Sequence, residues 1–252
     1  VKLDGAAASL SAEWDHRGVS FFQSPSSADG KVWFALLGVD VETPPGSYSL
    51  AIEAKIAEGS VLRYTRQVAV EAASYRTTEL HVAENFVAPD AATQIEIAAD
   101  KQVKDRAFAH SAVEPEWSGD FVPPVRSPAT DSFGTRRTFN GKLASIHRGM
   151  DFRAPAGTPV SAANAGTVVL AQKLFYEGNC VVVDHGLGFM TQYMHFSRID
   201  VRVGDKVRKG QRLGLSGATG RVTGPHLHFA VRWQGAYLDP AKLFRLPLQA
   251  KP

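Results

Sequence analysis

Apolar residues in this chain come in short runs, each cut off by glycine, proline or a polar cluster, and that punctuation confines most of it to β-structure. Residues 31–40, KVWFALLGVD, read as one strand. A turn at 44–46 leads into an alternating strand that runs to Ala54, and residues 61–70 read as another. Short strands at turn-marked spacing predict a small immunoglobulin-like β-sandwich over residues 1–88. Residues 91–110 break the pattern. There Ile95, Ile97, Ala98 and Val103 recur among charged residues behind Pro89 and Asp90, a spacing that predicts a helix. The breaker-rich stretch 114–124 reads as a linker, so 89–120 is expected to hold helix and linker, and 121–252 a second domain.

That second domain is again β-rich and contains two similar stretches. One begins Gly157-Thr158-Pro159-Val160 and reaches a strand after Gly166; the other begins Gly204-Asp205-Lys206-Val207 and reaches a strand after Gly210. The similarity fits two related β-units closing on one another as a small barrel or sandwich. The fold class is therefore all-β in the main, with two domains.

Composition removes several function classes. No apolar run nears the roughly 18 residues of a membrane span. The formal net charge of +3 is spread without a dense Lys/Arg block, which argues against a nucleic-acid partner. Cys180 is the single cysteine, so an intrachain disulfide is excluded; its setting, Asn179-Cys180-Val181-Val182-Val183, reads as a buried strand with an inert thiol. Val1 opens no signal-peptide pattern.

Five of the eight histidines lie in the second half, and three motifs there bear on chemistry. The first is His147-Arg148-Gly149-Met150-Asp151: imidazole and carboxylate are both normal zinc ligands, and Gly149 argues for loop or strand over regular helix. Taken alone it reads better as two surface side chains. The second is Gly224-Pro225-His226-Leu227-His228-Phe229, a turn running into a strand. Side chains i and i+2 share a face there, so His226 and His228 point one way while Leu227 and Phe229 enter a core. Two adjacent imidazoles fill a core badly; an exposed pair on an edge strand is the bland alternative. The third is Tyr193-Met194-His195-Phe196, where His195 could be a satisfied core histidine or a site residue. Together, His147, Asp151 and one histidine of the pair make three ligands, the usual protein share of a catalytic zinc. The other histidine of the pair and His195 remain for proton transfer and charge stabilisation.

With these three motifs in order, and with Phe133-Gly134-Thr135-Arg136-Arg137, Asp184-His185-Gly186 and Thr219-Gly220-Arg221 among their neighbours, residues from 121 to about 244 resemble the lysostaphin/LytM family of zinc endopeptidases. The resemblance implies a compact antiparallel β-domain and one zinc ion per chain. It makes His147, Asp151 and His228 the metal ligands, and His195 and His226 the non-ligating catalytic histidines. It implies peptidoglycan as substrate and partner, with amide hydrolysis by metal-activated water, and hence a location in the periplasm or cell envelope. Some relatives have lost ligands and only bind the wall or activate other hydrolases; the complete ligand set here speaks against that alternative. For His185 we expect a strand-ending turn with local hydrogen bonds, and we assign no role to His16, His81 or His110. The first domain is expected to orient the enzyme on the wall, bind a partner, or cover the groove until it is removed.

Overall fold

The computed structural model describes residues 7–23, 32–56 and 59–248. In the first part, strands Arg17–Val19, Ala7–Trp14, Gly46–Ile56 and Val61–Val70 form a four-stranded antiparallel sheet in that order, and Phe21–Gln23 pairs with Trp33–Ala35 in a separate ribbon. The β character and the strand 61–70 match the expectation. Among the described residues these two sheets hold six strands, against the seven of an immunoglobulin-type sandwich.

Residues 31–40 depart from the reading. Residue 31 lies outside the described residues, and the strand ends at Ala35. Beyond it the backbone is drawn to side chains elsewhere: the Trp233 indole donates to the Leu36 carbonyl at 2.8 Å, and the Trp14 indole to the Gly38 carbonyl at 3.0 Å. The Asp40 carboxylate accepts from the Tyr237 amide at 2.6 Å. Apolar alternation suggested a strand, but burial of two tryptophans whose N–H groups need acceptors outweighs it. These contacts fasten the first part onto the second within one chain.

The helix is present as Ala91–Ala109, with Asp90 as its cap, accepting from the Thr93 amide at 2.8 Å. Of the apolar residues that mark it in the sequence, Val103 docks and Ile95 does not. Ile95 is 72% exposed, and the contacts to the second part come from Val103, Ala107 and Phe108. The expected linker is also docked: the Glu116 amide donates to the His185 carbonyl at 2.6 Å, and Trp117 packs edge-on against Phe189 and Trp233. Phe121 is only 2% exposed. Strand Thr77–Leu80 adds itself in parallel to Arg136–Phe139, so residues before 121 supply a strand to the second part.

The second part is a ten-stranded antiparallel sheet around a core that includes Phe152, Val183, Phe189, Tyr193, Phe229 and Trp233. Its two similar units pair reciprocally. Pro159–Ser161 of the first runs antiparallel to Arg212–Ser216 of the second, and Gly166–Leu174 of the first to Lys206–Val207 of the second. Gly157 and Gly204, at matching points, both take positive φ, 88° and 93°, a turn geometry that favours glycine. Closure of the units carries the long strands Phe189–Ile199 and Leu227–Trp233 side by side through the middle of the sheet. Among the described residues no helix is long and apolar enough to cross a membrane.

Candidate metal centre

In strand Leu227–Trp233 the side chains alternate as expected. Leu227 and Phe229 are fully buried, and His228 turns to the other face. Directly opposite His228 in the antiparallel register is Asp151, in strand Met150–Phe152. His147 enters from the turn just before that strand. Three atoms converge: His147 Nε2 lies 3.1 Å from Asp151 Oδ1 and 2.9 Å from His228 Nδ1, and the last two are 2.8 Å apart. Ligands on a tetrahedral zinc at about 2.0–2.2 Å stand roughly 3.3–3.5 Å from one another, so the triangle needs to open by only a few tenths of an ångström. Two imidazoles and a carboxylate are also the right donor set for zinc. Among the described residues no other trio of His, Cys, Asp or Glu converges in this way. The site opens into a cleft of about 1040 Å³.

Neighbouring groups orient the trio. His147 Nδ1–H donates to the Ser132 carbonyl at 3.0 Å, which leaves Nε2 as the lone-pair nitrogen. Arg137 bridges the second oxygen of Asp151 to Asp131, and Arg76 also grips Asp131. Burial works to raise Asp131, but the Arg76 and Arg137 guanidiniums outweigh it and hold its carboxyl at about 2. For Asp151 too, burial is overcome by bonds from His147 and His228, and the carboxyl lies well below its usual range. Both acids are therefore ionised, as a cation site requires. The sequence reading noted Arg137 only as a neighbour, and nothing local in the sequence joins Asp131 or Arg76 to the trio.

Gly149 has a second role that its spacing did not reveal. A Cβ there would stand 2.5 Å from the Phe229 carbonyl and 2.6 Å from His228 Nε2. Gly149→Ala is expected to displace the His228 ring and to lower zinc affinity by about tenfold or more. Competition titration against a chelator of known affinity measures it; an unchanged affinity contradicts this role.

His195 and His226 flank the trio, with ring centroids 4.8 Å apart, and His195 lies 6.1 Å from His228. His195 sits in a β-bulge: with Met194 it occupies the space opposite Cys180, and its φ is +66°. The bulge turns its ring into the cleft where regular alternation would not. Each ring is held by a backbone carbonyl. His195 Nδ1–H donates to Thr219 and His226 Nδ1–H to Gly224, both at 2.8 Å, so each directs its Nε2 elsewhere. Burial, helped by His226 and His228, pushes His195 down to about 3, which keeps it neutral.

His185 lies outside the cleft and is fully buried. Asp184 makes the expected local bond to the Gly186 amide, but the His185 bonds are long-range, to the Ala165 carbonyl at 2.6 Å and to Thr191 Oγ1 at 2.8 Å. Burial pushes its imidazole down from 6.5 to about 4. Between these values the unfolded chain binds the proton and the folded one does not. His185 therefore contributes stability that is present above about pH 6.5 and is lost as pH falls towards 4, about 3 kcal/mol in all. Urea denaturation of His185→Gln should show a shallower loss over that window than the parent chain; equal slopes contradict it. Cys180 is buried, as expected, and burial pushes its thiol up. His16, His81 and His110 do not line the cleft.

Comparison with known proteins bears on the same region. The model of peptidase family M23 matches residues 145–240. Over 139 residues the chain is 42% identical to peptidoglycan DD-endopeptidase ShyA of Vibrio cholerae, a match covering 54% of this chain and 30% of that protein. Over 141 residues it is 43% identical to peptidoglycan DD-endopeptidase ShyB of the same organism, covering 55% and 30%. The chain thus spans under a third of the length of these curated relatives. A crystal structure of a Pseudomonas aeruginosa protein, provisionally assigned to peptidase M23, superposes with a TM-score of 0.73 at 28% identity, covering 97% of this chain and 91% of that one.

Proposed function

We propose that this chain, whose residues 145–240 match the model of peptidase family M23, is a zinc-dependent endopeptidase that hydrolyses peptide bonds in the stem peptides or cross-bridges of bacterial peptidoglycan. The observation that carries the reading is the convergence of His147 Nε2, Asp151 Oδ1 and His228 Nδ1 beside two further histidines that the trio does not use. The names of the relatives ShyA and ShyB support the substrate, and with it a location outside the cytoplasm.

One zinc ion, held by His147, Asp151 and His228, would supply Lewis acidity and lower the pKa of water towards 7. The remaining work falls to the chain. Asp151 offsets the charge of the cation while Arg137 holds its second oxygen still. His195 and His226, each with Nδ1–H fixed on a carbonyl, present Nε2 to the cleft. A neutral Nε2 accepts the proton of the attacking water; an Nε2–H donates to the developing oxyanion or to the departing amine. Because both rings are fixed in the same sense, the two can share these tasks.

Release of soluble peptides from purified sacculi, followed by mass spectrometry, tests the reading. Hydrolysis should stop on chelation and return with added zinc. A chain that bound the wall, or activated other hydrolases, without itself releasing peptides would overturn it.

A further inference from the structure

Among the guanidiniums that line the cleft, Arg221 is held between aromatic rings in a setting that the zinc chemistry does not explain. Arg221 lies on the loop that runs from Gly217 to His226, the loop whose Thr219 carbonyl also fixes His195. Its Cζ is 4.5 Å from the centroid of Phe139 and 4.4 Å from that of Tyr176, so it is flanked by two aromatic rings, and its amide is bonded to the Tyr176 carbonyl at 2.9 Å. Among the described residues the guanidinium has no hydrogen bond and no ion pair.

The carboxylates of the cleft are already committed. Asp131 and Asp151 pair with Arg137, Glu177 with Lys104, and Glu42 with Arg148. Glu177 is the acid that acts on Arg221 through space, and Lys104 holds it. Partial burial of an uncompensated cation is costly and lowers the pKa of Arg221, with Arg137 adding to the effect. Aromatic stacking offsets part of the cost and fixes the plane of the fork. With its faces occupied, the group can offer a ligand only its N–H edge. The partner that matches that edge is a planar anion with two acceptor oxygens.

We propose that Arg221 is a specificity-determining residue that grips a free carboxylate of the bound peptide, two oxygens to two N–H groups, as the peptide crosses the His147–Asp151–His228 site. The identity of the ligand as a peptide rests on the peptidase reading above. Charge selection thus sits on the loop that positions both non-ligating histidines, so binding the correct peptide and ordering those rings are mechanically joined.

The test compares two substrates on the full chain: a cross-linked stem-peptide dimer with free carboxylates, and the same dimer with its carboxylates converted to carboxamides. The parent chain is expected to favour the free acid by roughly 10- to 100-fold in kcat/KM, the range of a charge-assisted hydrogen-bonded pair. In Arg221→Gln this ratio should fall to near one, and in Arg221→Lys to an intermediate value, since Lys keeps the charge and loses the fork. The ratio is unaffected by a general loss of activity in a poorly folded variant. A ratio in Arg221→Gln equal to that of the parent, or no preference in the parent, overturns the proposal. If the parent cleaves neither dimer, the peptidase reading has failed, and calorimetric binding of the two dimers decides the question for Arg221. Tighter binding of the acid, lost in Arg221→Gln and not reproduced by inorganic phosphate, upholds it; equal binding of the dimers, or binding of neither, overturns it.

Discussion

His228→Ala is expected to leave the purified chain with less than about a tenth of an equivalent of zinc and with peptide release at least ~10³-fold below the parent. In the proposed site the ring it removes is one of three protein donors, and no neighbour is placed to replace it. His226 Nε2 is 3.7 Å from Asp151 Oδ1, but its Nδ1–H is tied to the Gly224 carbonyl. His195 is fixed to Thr219 on the far side of a bulge. Two ligands, His147 and Asp151, would remain, with an open coordination sphere that a modest chelator can empty. Asp151→Ala should behave alike, and worse for folding, because Arg137 would lose one of its two carboxylate partners. Zinc near one equivalent in His228→Ala, measured by elemental analysis after dialysis, would remove His228 from the ligand set.

The second large effect separates binding from turnover. His226→Ala and His195→Ala are each expected to keep close to one zinc per chain while kcat falls by about 10²–10⁴, the range for loss of a positioned acid or base. The structure gives the reason for the split: both rings flank the trio, and neither belongs to the 2.8–3.1 Å triangle of donor atoms. KM should change little beside kcat, since neither ring is a docking surface for the distant parts of the peptide. If His226→Ala loses zinc as His228→Ala does, the division of the pair is wrong. If it keeps both zinc and full turnover, His226 is a bystander.

What could be read from the sequence was what depends on neighbours in sequence. Strand Val61–Val70 and helix Ala91–Ala109 follow from local periodicity and a capping aspartate. Alternation alone placed His226 and His228 on one face, and the repeated Gly-x-x-Val turns foreshadowed the reciprocal pairing of Pro159–Ser161 with Arg212–Ser216. What escaped depends on partners far along the chain. The strand expected through Asp40 stops at Ala35 because tryptophans at 14 and 233 need its carbonyls. Residues 114–124 have the composition of a linker, yet Trp117 and Phe121 find a hydrophobic seat on Phe189. The bulge that aims His195, the ion pairs from Arg76 through Asp131 to Arg137, and the space that Gly149 leaves for His228 are all properties of packing, which a single sequence does not display. The proposed trio of His147, Asp151 and one histidine of the pair stands out only when the three motifs are read together, and the choice of His228 within the pair came from the family resemblance.

Everything proposed for catalysis depends on where a bound cation sits. Anomalous diffraction at the zinc edge, on crystals of the full chain grown with zinc, locates it directly. The account predicts one peak per chain within about 2.2 Å of His147 Nε2, an Asp151 carboxylate oxygen and His228 Nδ1, with the Nε2 atoms of His195 and His226 beyond bonding distance. A peak bonded to His195 or His226 in place of His228, or no peak in this cleft at full zinc loading, would contradict it.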